Sequence, residues 1–139
     1  MLENAATRGY CPIRGRLDGA GTGTLKGRFR MDGGTLVIPG PGSRLAFGTQ
    51  FQNVDANFLA GLGAIELDLA GKPTFGQVSV CDAYGLTAED AARIPVTAKI
   101  ADADAEMVEK YADAFSATVK NGKLVVCNAR GGGFVFYLR

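Results

Sequence analysis

Short alternating segments cut by glycine run through the first eighty residues. Leu25-Lys26-Gly27-Arg28-Phe29-Arg30-Met31 alternates apolar and basic positions, and Asp32-Gly33-Gly34 leads it into Thr35-Leu36-Val37-Ile38-Pro39. That order predicts a β-hairpin. After the break at Pro39-Gly40-Pro41-Gly42, Arg44 to Phe51 reads as a strand with Leu45, Phe47 and Phe51 on one face. Asn53 to Gly63 fits either a loop or a short helix. Ala64-Ile65-Glu66-Leu67-Asp68-Leu69-Ala70 is the cleanest period-2 stretch, ended by Gly71-Lys72-Pro73, and Gln77-Val78-Ser79-Val80-Cys81 is its expected partner.

Beyond Tyr84-Gly85 the pattern becomes mixed. Thr87 with Asp90 three positions on has the form of a helix cap, and Pro95 limits that helix to two turns. Val96 to Ile100 reads as a strand. Residues 102–115 form the clearest helix: Asp102 or Asp104 caps it, acids crowd its first turn, and Met107, Val108, Tyr111, Ala114 and Phe115 make an apolar stripe. Ala117 to Lys120 then turns at Asn121-Gly122 into Lys123 to Cys127, a second hairpin, followed by a glycine-aromatic strand at the C-terminus. The expected fold is therefore a β-rich α+β domain over 13–139, mainly antiparallel and sandwich-like or barrel-like. Residues 1–12, which carry no folding pattern of their own, read as an N-terminal arm. No internal repeat is visible.

At 139 residues the chain is long enough for one core. Twenty glycines, about twice the usual share, mark many tight turns, since no Gly-x-y period accompanies them. The N-terminus lacks the pattern of a signal peptide and no stretch is long enough to span a membrane, so a cytoplasmic or virion location without membrane contact is expected. Cys11, Cys81 and Cys127, odd in number and far apart, read as free thiols.

Absent residue types narrow the chemistry. Without histidine, Ser-His and Cys-His nucleophile pairs cannot form, and the commonest zinc sites lose their ligand. No Cys-x-x-Cys and no phosphate loop occur; Gly19-Ala20-Gly21-Thr22-Gly23-Thr24 precedes a strand, where a phosphate cradle needs a helix. Glu66 and Asp68 share one strand face, as paired glycosidase carboxylates would, but alternation with Ile65, Leu67 and Leu69 already accounts for them. No catalytic residue, metal ligand or cofactor is assigned.

Charge is segregated. Residues 1–50 carry a net +4, residues 51–115 a net −7 and residues 116–139 a net +4. Lys26, Arg28 and Arg30 read as a row of cations on one strand, spaced about 6.6–6.8 Å apart. With Arg130 and Arg139 they are the candidate contacts for a polyanion or a partner surface.

Arg130-Gly131-Gly132-Gly133-Phe134-Val135-Phe136-Tyr137 resembles the RNA-contacting octapeptide of the RNA-recognition motif, matching every defined position except Gly132, where an aromatic belongs. The resemblance implies base stacking on the aromatics, supported by the basic row. The family's pattern also needs a helix and strand after the octapeptide and an aromatic in the companion motif. Here the sequence ends two residues past Tyr137, and Val96 to Ile100 has no aromatic. Alternation further puts Phe134 and Phe136 on one face and Tyr137 on the other.

Three readings follow. The favoured one is a non-enzymatic structural or assembly protein, a homo-oligomer or a subunit of a particle such as a phage virion or capsid decoration, in which the arm and the basic strand contact neighbours. The alternatives are a single-stranded nucleic-acid-binding module and a small enzyme working through carboxylates or lysine.

Overall fold

The computed structural model describes residues 9–19, 23–40 and 44–130. Its strands are β1 (Cys11–Ile13), β2 (Arg16–Asp18), β3 (Thr24–Lys26), β4 (Phe29–Met31), β5 (Thr35–Gly40), β6 (Gln50–Gln52), β7 (Ala64–Leu69), β8 (Gln77–Asp82), β9 (Val96–Ile100), β10 (Phe115–Lys120) and β11 (Lys123–Asn128). Helix α1 (Ala88–Arg93) precedes β9 and helix α2 (Ala105–Tyr111) follows it.

The expected mainly antiparallel sandwich or barrel is overturned. β1 pairs with β4, β2 with β5, β5 with β7, β7 with β9, and β3 with β6, all in parallel. The chain therefore winds as a short three-faced β-solenoid. Its first coil is β1, β2 and β3; its second is β4, β5 and β6, each strand lying beside its counterpart. The third coil contributes β7, and after an excursion the chain returns to add β9 to the same face.

Asp32-Gly33-Gly34 is thus a corner between two faces rather than a hairpin turn, and β7 pairs with β5 and β9, not with β8. Of the 44–51 segment only Gln50 and Phe51 join a sheet, in a strand that runs on to Gln52. The difference has a physical cause. In most parallel sheets helices cover both faces, so strands read as continuous apolar runs. In a solenoid the crossovers are themselves strands, one face of each sheet stays outside, and the alternation matches that of a half-covered antiparallel sheet.

Inward-facing side chains stack in register. Leu17, Leu36, Ile65 and Val96 form one ladder, and Ile38, Leu67 and Ala98 form a second. Leu36, Ile38, Ile65 and Leu67 are essentially inaccessible. On the other faces Ile13 lies beside Met31 and Leu25 beside Phe51. Phe51 packs on Phe58 at 4.8 Å between ring centroids, and the Tyr84 ring meets both edge-on at 5.6 and 5.7 Å. These rings fill the solenoid where the chain leaves it.

The corners explain part of the glycine content. Thr35 N donates to Gly15 O at 3.0 Å and Gly63 N to Gly34 O at 2.9 Å, which brings successive corners into direct backbone contact. A Cβ on Gly34 would lie 2.6 Å from the Gly15 oxygen, and one on Gly63 would overlap the Gly33 oxygen. At the turn from β3 to β4, Gly27 adopts a φ of +121°, a region that side chains disfavour.

The remaining elements form a lid. β10 and β11 make the expected hairpin at Asn121-Gly122, with φ of 53° and 74°, and β11 also pairs antiparallel with β8. Thr87 caps α1 through the Asp90 N–H, as its sequence predicted. α2 is capped by Asp104 and is shorter than expected, because residues from Phe115 onward pass into β10. Tyr111, Ala114 and Phe115 of its stripe are buried, whereas Val108 is 58% exposed. Among the described residues no helix is long and apolar enough to cross a membrane.

Candidate functional site: the open end of the solenoid

The cations singled out from sequence do not form a row. Lys26 ends β3, Arg28 lies in the corner after Gly27, and Arg30 is in β4. Arg28 donates to Asp55 Oδ2 at 3.2 Å, and Arg30 Nε lies 3.5 Å from Asp55 Oδ1 while its guanidinium stacks 4.5 Å from the Tyr10 ring. The Asn57 backbone N–H, donating at 2.8 Å, and the two arginines hold the Asp55 carboxyl below its usual range. Two of the three cations are thereby committed to one internal carboxylate. Arg130 is exposed beyond β11. Arg139 and the octapeptide-like segment beyond Arg130 lie outside the described residues, as does the arm before Gly9.

A second cluster lies on the outer face of the four-stranded sheet, where the sequence pattern marks only the carboxylates. Arg16 on β2 reaches across β5 and donates to both oxygens of Glu66 on β7, at 2.8 and 2.7 Å. Lys99 Nζ approaches the same carboxylate at 3.6 Å. Glu66 is only 8% exposed, and the Arg16 fork brings its pKa down to about 2. Asp68 is next on that face, and burial together with the neighbouring Glu66 carboxylate pushes its pKa up. The Arg16 fork occupies both oxygens of the Glu66 carboxylate, which a nucleophile or general base would need free. The bidentate fork instead ties β2 to β7.

The three cysteines are free and partly buried. Burial pushes the Cys81 thiol up to about 12, far from the range of a nucleophilic cysteine. Among the described residues no three His, Cys, Asp or Glu side chains converge on a common point.

The first coil carries the feature that no segment of sequence displays. Each of its strands is paired on one side only among the described residues. Hydrogen bonding alternates along a parallel strand, so the direction of each backbone group can be read from its neighbours. Gly15 O and Gly19 N bond to β5, at 3.0 and 2.8 Å, which turns the N–H and C=O of Arg16 and Asp18 toward the open side. Gly23 O and Gly27 N bond to β6, both at 3.1 Å, which does the same for Thr24 and Lys26. Cys11 N and Ile13 O bond toward β4, leaving Pro12 to face outward with a carbonyl and no N–H. The Asp18 carbonyl also accepts from Thr49 Oγ1 at 3.1 Å.

Inside this ring of edge groups sit Ile13, Leu17 and Leu25, half-buried, with no further strand layer over them among the described residues. Solenoids need a closing layer on such an end. The opposite end has one: Phe58 O accepts from Met31 N at 2.8 Å, Leu59 N donates to Tyr84 O at 3.0 Å, and the Phe51, Phe58 and Tyr84 rings cover the interior. No family model, no curated protein and no solved structure matches the chain.

Proposed function

We propose that this protein is a non-enzymatic assembly module that joins neighbouring subunits through the first coil of its solenoid. The observation that carries the reading is the set of three strand edges, β1, β2 and β3, at one end of the stack, surrounding the half-buried Ile13, Leu17 and Leu25. Strand edges that keep their donors and acceptors are templates for pairing with another chain. The edges here are short and carry Pro12, Arg16 and Lys26, features that resist indiscriminate aggregation while leaving a matched partner able to dock. The acid and base groups, by contrast, are consumed by internal ion pairs: Glu66 by Arg16, and Asp55 by Arg28 and Arg30.

The test is size measurement by light scattering of the full chain over a wide concentration range, beside Thr24→Pro. Thr24 begins β3 and its N–H faces the open side, so proline there removes an edge donor without removing a bond of the solenoid. The wild type should exceed the 14.5 kDa of one chain and the variant should dissociate at concentrations where the wild type does not, with unchanged circular dichroism. A wild type that stays monomeric throughout would sink the proposal.

A further inference from the structure

One side of the four-stranded sheet ends at β9. Ile65 N donates to Pro95 O at 3.0 Å and Ala101 N to Leu69 O at 2.9 Å, so alternate residues of β9 bond to β7 while Val96, Ala98 and Ile100 turn their N–H groups away from it. Among the described residues those three N–H groups meet no backbone acceptor. Beside them, α2 and the sheet leave a groove of about 240 Å³ lined by Thr97, Ala98, Ile100, Val108, Tyr111 and Ala112. Val108, 58% exposed, is the one large apolar side chain left uncovered among the described residues. An apolar groove along an unpaired strand edge has the form of a site for one more strand.

We infer that this strand is the chain's own C-terminal segment, Phe134 to Arg139, which lies outside the described residues. The described chain ends beside the groove: Ala129 N donates to Ala114 O at 2.8 Å, and Ala114 N to Tyr111 O at 3.3 Å at the end of α2. Asn128 Oδ1 accepts from Arg130 N at 3.0 Å and so directs the exit from β11. The buried Asn128 Nδ2 has no acceptor among the described residues, a lack that the carbonyls of Gly131 to Gly133 can fill. Three glycines span at most about 10 Å, and β10, whose Phe115 pairs with Asn128, approaches β9.

The alternation of the segment fits the edge. Phe134, Phe136 and Leu138 are alternate apolar residues, as are Val96, Ala98 and Ile100. Ala103 N donates to Ile100 O at 3.3 Å just before α2, and the helix then runs back along the groove to Tyr111. A segment entering from that end meets Val96 first and runs parallel to β9, as the other strands of the sheet do. Phe134 then extends the ladder of Leu36, Ile65 and Val96, and Phe136 lies beside Ala98, the smallest member of the second ladder, where the groove has room. Arg139 arrives next to Asp102 and Asp104, in the acidic part of the chain.

Hydrogen exchange and cross-linking of the full chain test the inference. The Ala98 and Ile100 amides should be protected in the wild type and exchange about tenfold faster or more in Phe136→Asp, whereas the Thr97 and Lys99 amides, bonded to β7, should stay protected in both and report an intact sheet. Parallel neighbours lie about 4.8 Å apart, within the span of a disulfide. Ala98→Cys with Phe136→Cys, oxidised mildly in a mixture of isotopically heavy and light chains, should link positions 98 and 136 within one chain, read by mass spectrometry. Thr97→Cys with Phe136→Cys, on opposite faces, should not link. Unprotected Ala98 and Ile100 amides in the wild type would overturn the inference even if Phe136→Asp does not fold. Linkage confined to heavy-light pairs would also overturn it, by giving the groove to a second copy's segment. Both measurements concern β9 and not the first coil, so the assembly reading stands or falls on its own test.

Discussion

Glu66 illustrates how much a single outward-facing residue can hold together. It occupies an exposed position of the strand pattern, yet it is 8% accessible because Arg16 comes from two strands away to grip both of its oxygens. Its carboxyl ionises near pH 2 in the fold and near 4.5 when free, so the ionised form favours the folded state. That contribution is complete above about pH 4.5 and disappears as the pH falls toward about 2. Asp55, also lowered, adds in the same direction, whereas Asp68, raised by burial and by Glu66, opposes it. Glu66→Gln is expected to cost about 1–3 kcal/mol at neutral pH, at the lower end because Arg16 is largely exposed to solvent. Chemical denaturation between pH 7 and pH 2 should show a shallower acid loss in the variant than in the wild type. Identical slopes would mean that the ion pair contributes nothing to folding.

At the scale of elements, the corners decide whether coils can stack. Gly63 has no room for a Cβ against the Gly33 carbonyl, while Gly71 has nothing within 4 Å of the same position. Gly63→Ala should therefore destabilise by about 2–4 kcal/mol, since backbone must move, and Gly71→Ala by less than about 0.5 kcal/mol. Urea titrations of the two variants check this directly, and equal midpoints would refute the corner argument. The local elements were legible in the sequence: the Thr87 cap, the strand at 96–100 and the Asn121-Gly122 hairpin each depend on neighbours close along the chain. The coils were not. Gly15-Arg16-Leu17, Gly34-Thr35-Leu36 and Gly63-Ala64-Ile65 are the same corner and strand start three times over, but 19 and then 29 positions separate their stacked residues. A repeat of unequal length leaves no period to detect. The open edge was hidden for a related reason, since it is defined by which partner a strand lacks. The cation row failed because Gly27 turns the chain between Lys26 and Arg28.

For the whole molecule, the solenoid is asymmetric along its axis, with an end sealed by aromatic rings and a lid and an end where three edges surround half-buried side chains. Such a molecule gains stability from whatever covers the open end, so folding and association are linked. If the occupant is a second copy, unfolding a dimer releases two chains and the apparent stability rises with chain concentration. Each tenfold increase above the dissociation constant adds about 1.4 kcal/mol per dimer, a rise in Tm of roughly 2 °C for two chains of this size. Thr24→Pro acts at the edge and should lose that dependence, whereas Gly63→Ala acts within the stack and should lower Tm at every concentration while keeping it. Differential scanning calorimetry over a hundredfold concentration range separates the two behaviours. A Tm of the wild type that does not move with concentration would show that nothing in solution closes the first coil.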